Sequence, residues 1–254
     1  MSIPLLRLPI LQECPNVAHG FTTREGGVSR GPRASLHLAV RDGDVHADIV
    51  ENWRRATEAI GCEPAQLVLL DQVHGCEVVR VNTATGPLAT AAAADGVVSC
   101  TPGLVLAVRT ADCVPVLFAA PGGVAVAHAG WRGVVAGVVP QTVRALCEAT
   151  GAAPSDVVAA VGPHAQVAAY EVGPAVVDAL VGAGLRRERV SRMGAKGREH
   201  ADLGQAVLDQ LSALGVTQVQ SAGACTMHEA RFFSHRRDGS STGRLAGLIT
   251  LRAP

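Results

Sequence analysis

Three side chains able to bind metal or attack carbon interrupt otherwise apolar stretches of the chain. His74 lies in Asp71-Gln72-Val73-His74-Gly75, Cys113 in Arg109-Thr110-Ala111-Asp112-Cys113, and His128 in Val126-Ala127-His128-Ala129-Gly130. Two imidazoles and one thiolate form a three-ligand set for zinc. Such a set leaves the fourth tetrahedral position open, the pattern of a catalytic site, and water there can be acidified towards neutral pH and attack carbon. The ligands lie 39 and 15 positions apart, too far for a local metal motif. The plain alternative therefore stays open: a turn histidine, a buried thiol and a satisfied core histidine. Cys113 and His128 also read as a nucleophile and its base, with Asp112 nearby. Neighbours on a strand point to opposite faces, which places Asp112 badly for orienting His128 beside Cys113.

Anion binding is the second chemistry on offer. Of 22 Lys plus Arg only Lys196 is a lysine, so any anion site is built from guanidinium forks. Arg54, Arg55, Arg109, Arg132, Arg236, Arg237 and Arg244 lie in or beside turn-rich motifs. The segment from Ser234 to Arg244 is dense enough to turn amides and guanidiniums towards one ligand, or to be a polar loop before the last strand. Asp95-Gly96 reads as a turn. Tyr170, the only tyrosine, reads as a core residue with a satisfied hydroxyl.

The elements that must position these residues follow from periodicity. Ile49, Trp53, Ala56 and Ile60 mark one face of a helix over Val45–Ile60, with Asp44 as N-cap and Gly61 after its end. Leu67–Val73 and Cys76–Val81 read as strands meeting at a His74-Gly75 turn. Leu104–Arg109, Val114–Ala119 and Val124–His128 read as further strands, the last two forming a hairpin across Pro121-Gly122-Gly123. Helix is predicted from Gly133 to Thr150, kinked or restarted at Pro140. Val157–Val161 is a strand, Pro174–Val181 and Asp202–Leu214 are helices, and Val216–Ala222 and Leu245–Leu251 are strands. Asn82–Ala94 and Gly184–His200 read as loops. The mixture lacks a βαβ rhythm and implies an α+β fold, one domain over 1–254, with mixed sheets flanked by helices.

Composition narrows the function classes. With zero net charge and a pI near 7.1 there is no cation excess for sequence-independent nucleic-acid binding. No apolar run reaches a membrane span and no leader pattern opens the chain. Seven irregularly spaced cysteines fit a cytoplasmic protein with reduced thiols. P-loop, H-E-x-x-H, C-x-x-C and strand-following G-x-G-x-x-G motifs do not occur.

Taken in order, the segments Gln72-Val73-His74-Gly75, Ala94-Asp95-Gly96, Thr110-Ala111-Asp112-Cys113-Val114-Pro115, Ala127-His128-Ala129-Gly130-Trp131-Arg132-Gly133, Gly162-Pro163, Tyr170-Glu171-Val172-Gly173, Cys225-Thr226, Arg236-Arg237-Asp238 and Thr242-Gly243-Arg244 resemble the laccase-domain family. Its members are also called polyphenol oxidase-like or peptidoglycan editing factor proteins. The resemblance runs from about His19 to Leu251. It implies a single α+β domain with zinc held by His74, Cys113 and His128. It also implies phosphorolysis of adenosine, inosine, guanosine or methylthioadenosine, and deamination of adenosine. The implied partners are a purine nucleoside and phosphate, bound by a monomer or small homo-oligomer. Arg132, Arg236, Arg237, Arg244, Tyr170 and His37 are then candidate substrate contacts, and Asp112, Arg54 and His164 candidate catalytic groups.

The chain departs from the family pattern at three places. Ser35-Leu36-His37-Leu38-Ala39 stands where the family has Ser-x-Asn-Leu-Gly, Asn52-Trp53 where it has Asn-Arg, and His164 where it has a small residue or Cys. His37 and His164 become candidate ligands, bases or space-fillers. Arg54 is the candidate to replace the missing arginine, although one helical position rotates it by about 100°. Three other readings remain: a copper-dependent phenol oxidase, a cysteine hydrolase editing a cell-wall precursor, and a non-catalytic paralogue that binds a nucleotide-like ligand.

Overall fold

The computed structural model describes residues 3–40 and 44–253. Along the chain run β1 (Leu5–Leu6), α1 (Pro9–Gln12), β2 (Val17–Thr22), α2 (His46–Glu58), β3 (Leu67–Val68), β4 (Val78–Arg80), β5 (Gly96–Ser99), β6 (Val105–Thr110), β7 (Val114–Ala120) and β8 (Gly123–Ala129). Then follow α3 (Trp131–Ala136), α4 (Val138–Thr150), β9 (Val158–Val161), α5 (Pro174–Gly182), α6 (Arg187–Val190), β10 (Ser191–Met193), β11 (Glu199–Ala201), α7 (Leu203–Ala213), β12 (Gln218–Ser221), α8 (His235–Asp238) and β13 (Leu245–Leu251).

Two mixed sheets pack face to face, in strand orders β1-β2-β13-β6-β3 and β12-β9-β7-β8-β5-β4. Period-two alternation explains the layering. Leu117 and Ala119 of β7 and Val124 and Val126 of β8 meet Phe21, Leu106, Val108 and Ile249 of the other sheet in an inter-sheet core. The opposite faces of the same strands, including Val116, Phe118, Ala125 and Ala127, are covered by α3, α4, α5 and α7. α2 covers the outer face of the five-stranded sheet through Ile49, Trp53 and Ala56. Strands buried on both faces read as continuous apolar runs, which is why β6, β7 and β8 stand out in the sequence. The architecture is α+β, with mixed sheets flanked by helices.

Several local expectations are corrected. Asp44 is not the N-cap of α2. Val45 holds that position without a side-chain cap, and Asp44 pairs with Arg33 and His37. The segment around His74 does not close a hairpin, because β3 joins the first sheet and β4 the second. The helix after Gly133 breaks at Gly137, whose φ of 84° ends α3. Pro140 lies within the first turn of α4, where its missing N–H costs nothing. The charged stretch 184–200 folds into α6 and the β10–β11 hairpin. The short strand β5 begins at Gly96, so Asp95 precedes a strand rather than serving as a surface turn.

Candidate metal centre

β7 and β8 pair antiparallel with Pro115 opposite His128 and Val114 opposite Ala129. His128 therefore continues the inter-sheet face of Val124 and Val126, at the end of the seam between the sheets. One step beyond the Val114–Ala129 pair, Gly130 faces Cys113. A Cβ on Gly130 would lie 3.1 Å from Cys113 Sγ and 2.9 Å from His74 Cδ2. The missing side chain makes room for both side chains. His74 itself has a φ of 62°, an uncommon left-handed conformation for a residue with a Cβ. Its ring stands edge-on to His128 with centroids 4.8 Å apart. Cys113 Sγ is 3.9 Å from His74 Nε2. The ligand atoms of His74, Cys113 and His128 all lie within 4.8 Å of one another.

Asp95 is the residue that sequence reasoning missed. In the β5–β8 ladder Gly96 opposes Ala127, so Asp95 lies across from His128, and His128 N–H donates to the Asp95 carbonyl. The carboxylate is fully buried. Its Oδ1 is 2.7 Å from His128 Nδ1, while its Oδ2 accepts from Gly75 N–H at 2.6 Å and Val73 N–H at 3.2 Å. One carboxylate thus fixes the His128 tautomer, leaving Nε2 for the cluster, and clamps the turn that carries His74. A carboxyl directly before a buried apolar strand was the available signal, because a buried acid needs partners.

Electrostatics follow the contacts. Burial would raise the Cys113 thiol, but His128 and His74 override it and bring it below its ordinary value. Burial would lower His128, but Cys113 and Asp95 raise it instead. Burial would raise Asp95, yet the hydrogen bonds from His128 and Gly75 N–H hold it low. A thiolate, two oriented imidazoles and a buried carboxylate behind one of them fit a borderline-soft divalent ion.

Some of the remaining candidates gather beside this cluster. The Tyr170 hydroxyl is pushed up by burial and then by Cys113, and it also feels Arg236, Asp112 and Arg132. The Arg236 guanidinium lies 5.0 Å from the Tyr170 ring centre. Arg132 is exposed and stacks on Trp131 at 4.4 Å. Asp112, with a φ of 96°, accepts from Thr226 Oγ1 and Arg236 N–H.

Other candidates are engaged elsewhere. Arg54 pairs with Glu51 and Glu58 along α2 and is not brought to the cluster. Arg237 donates to the carbonyls of Thr226 and Phe232 and pairs with Asp238, so it braces its own loop. His37 is buried, with Nδ1 accepting from Arg244 N–H and Nε2 facing Asp44. The Arg244 guanidinium donates to the Thr242 and Gly243 carbonyls. His164 is buried, its ring nitrogens used by the Gly162 carbonyl and the Gln166 amide, so it offers no ligand atom. Trp53 packs into the core under α2.

Comparison with known proteins places this geometry among relatives. The sequence profile described as multi-copper polyphenol oxidoreductase laccase matches residues 18–252. A Deinococcus radiodurans protein named purine nucleoside phosphorylase is 41% identical over 252 residues, covering 98% of this chain and 94% of its own. The Escherichia coli purine nucleoside phosphorylase YfiH is 39% identical over 249 residues, covering 97% and 98%. The crystal structure of YlmD from Geobacillus stearothermophilus superposes with a TM-score of 0.91 at 35% identity, covering 100% of this chain and 98% of that one.

Proposed function

Because the chain belongs to the family described as multi-copper polyphenol oxidoreductase laccase, and its relatives in that family are named purine nucleoside phosphorylase, we propose that it is a zinc-dependent purine nucleoside phosphorylase. The proposed reactions are phosphorolysis of adenosine, inosine, guanosine or methylthioadenosine, and hydrolytic deamination of adenosine. The observation that carries the reading is the three-donor cluster with Asp95 behind His128. Among the described residues no other group of three His, Cys, Asp or Glu lies close enough to share an ion. Three donors suit one ion rather than the several that a multicopper centre requires.

Cys113 Sγ, His128 Nε2 and His74 Nε2 would hold the zinc. Bound there, zinc supplies Lewis acidity and an acidified water for attack at the purine ring. Arg236, 5.0 Å from the Tyr170 ring centre, and Arg132, exposed beside Trp131, bind and orient the phosphate that attacks the sugar C1′. The Tyr170 ring forms the wall against the nucleoside, with Arg236 packed over the ring. No helix of the described residues is long and apolar enough to cross a membrane. We place the enzyme in the cytoplasm as a monomer or small homo-oligomer acting on small molecules, with no nucleic-acid partner.

The test is metal content and nucleoside turnover, with and without phosphate, for wild type, Cys113→Ser and His128→Ala. Both variants should lose zinc and turnover together. Full zinc loading in both overturns the ligand set. Absence of base release with phosphate, and of inosine from adenosine, overturns the activity. Stoichiometric copper would restore the phenol-oxidase reading, and a covalent adduct on Cys113 in active metal-free protein the cysteine-hydrolase reading. Ligand retention without turnover would point to a binding paralogue.

A further inference from the structure

Asp112 stands where three pieces of the site meet. It directly precedes Cys113 on the turn that enters β7. Its backbone carbonyl accepts from Ala165 N–H at 2.9 Å, at the start of the segment leading to Tyr170. Its buried carboxylate accepts from Thr226 Oγ1 at 2.7 Å through Oδ1 and from Arg236 N–H at 2.6 Å through Oδ2. Arg236 then lies over the Tyr170 ring and donates to the Glu171 carbonyl.

Both carboxylate oxygens are thus committed to hydrogen bonds inside the protein. A carboxylate so engaged ties the segments of Thr226 and Arg236 to the turn before Cys113. We propose that Asp112 is a positioning residue. It fastens the turn carrying Cys113 to the wall made by Tyr170 and Arg236, and so sets the spacing between the metal-binding and phosphate-binding sides of the site. This rests on the phosphorylase reading only in taking that wall to face the substrate.

Asp112→Asn and Asp112→Gly separate a tie from a proton-transfer role. Asn and Gly both accept a positive φ, so neither adds backbone strain. Asn keeps both links, since its oxygen accepts from Arg236 N–H and its amide donates to the Thr226 hydroxyl. Gly keeps neither. Tyr170 is the only tyrosine, so fluorotyrosine labelling gives one fluorine resonance that reports the wall whether or not the protein turns over substrate.

For Asp112→Asn the expected result is an unmoved resonance, an unchanged pH–rate profile and kcat/KM within about threefold of wild type. For Asp112→Gly the resonance should shift or broaden, and the KM for phosphate should rise about tenfold or more, with kcat changed less. Should the Gly variant not fold, Thr226→Val breaks one of the two links and should move the resonance in the same sense by less. An Asn variant that loses a limb of the pH profile, or falls as far in kcat as the Gly variant, overturns the proposal and assigns proton transfer to Asp112. An unmoved resonance in both Asp112→Gly and Thr226→Val overturns the tie. If wild type turns over no nucleoside, the phosphorylase reading fails, while the fluorine comparison still decides the tie.

Discussion

The Asp95 carboxylate and the His128 imidazole are cross-strand neighbours joined by a 2.7 Å hydrogen bond. The second oxygen of the same carboxylate holds the backbone of the turn that presents His74. Asp95→Asn offers a neutral amide that cannot accept at both positions. It either faces His128 Nδ1–H with an N–H or turns and releases Gly75. Loss of such a partner behind a metal-binding histidine costs about 10–100-fold in metal affinity. A chelator-competition titration should show that loss. Wild-type affinity in Asp95→Asn would mean that the ligands are held by other contacts.

A second prediction concerns Gly130. Its φ is not in the left-handed region, so an alanine there is excluded by space and not by backbone strain. The new methyl would sit between His74 and Cys113 Sγ, at 2.9 and 3.1 Å. His74 is exposed and can swing outward. Gly130→Ala should therefore lose metal stoichiometry while the unfolding free energy of the metal-free protein changes by less than about 1 kcal/mol. A fully loaded Gly130→Ala protein would show that the cluster tolerates the methyl.

His74, Cys113 and His128 stood out in the sequence as candidates because each interrupts or borders an apolar stretch, and the fold brings the three together. The doubly buried strands around them were legible for the same reason. Asp95 was not, because a short strand after Asp-Gly looks like a turn until its partner β8 is known. Arg54 and Arg237 looked like anion ligands by residue type. Only the folded chain shows Glu51 and Glu58 occupying the first, and the carbonyls of a loop occupying the second. His37 and His164 likewise looked available, until burial, one backbone partner each and the side chains of Asp44 and Gln166 took up their ring nitrogens. Side-chain type announces capacity, and the fold decides whether that capacity is already spent.

Acid should destabilise the fold through two buried histidines outside the cluster. Burial, assisted by Arg7, lowers His19 to about 4, and its Nε2 accepts from Leu8 N–H. Burial, opposed in part by Asp44, lowers His37 to about 4, and its Nδ1 accepts from Arg244 N–H. The folded state keeps both neutral, whereas the unfolded chain protonates them below about 6.5. Their contribution is therefore fully present above about pH 7, shrinks as pH falls from about 6.5 to 4, and levels off below that. Each accounts for a loss of about 2 kcal/mol by pH 5. His37→Asn removes one titration and can still accept from Arg244 N–H. Urea midpoints at about pH 7.5 and pH 5 should fall less in this variant than in wild type. An equal fall in both would acquit His37.

The last prediction tests how the two sheets close on each other. A Cβ on Gly162 would lie 2.3 and 2.4 Å from two ring carbons of Phe21 and 2.8 Å from Pro115 Cγ. Phe21 is buried in β2 of the five-stranded sheet, and Gly162 follows β9 of the six-stranded sheet. The glycine is thus a socket for a ring from the opposing layer. Gly162→Ala should overpack it and cost about 1–3 kcal/mol, which for a chain of this length lowers Tm by about 2–4 °C per kcal/mol. The cause is steric, so shrinking the ring should relieve it. Phe21→Leu alone leaves a void and destabilises, but in the double variant the alanine methyl partly fills that void. The double variant should then be more stable than the sum of the single losses predicts, with a coupling of at least about 0.5 kcal/mol. Strict additivity would show that Phe21 and Gly162 do not share the socket, and that the sheets are held apart by other contacts.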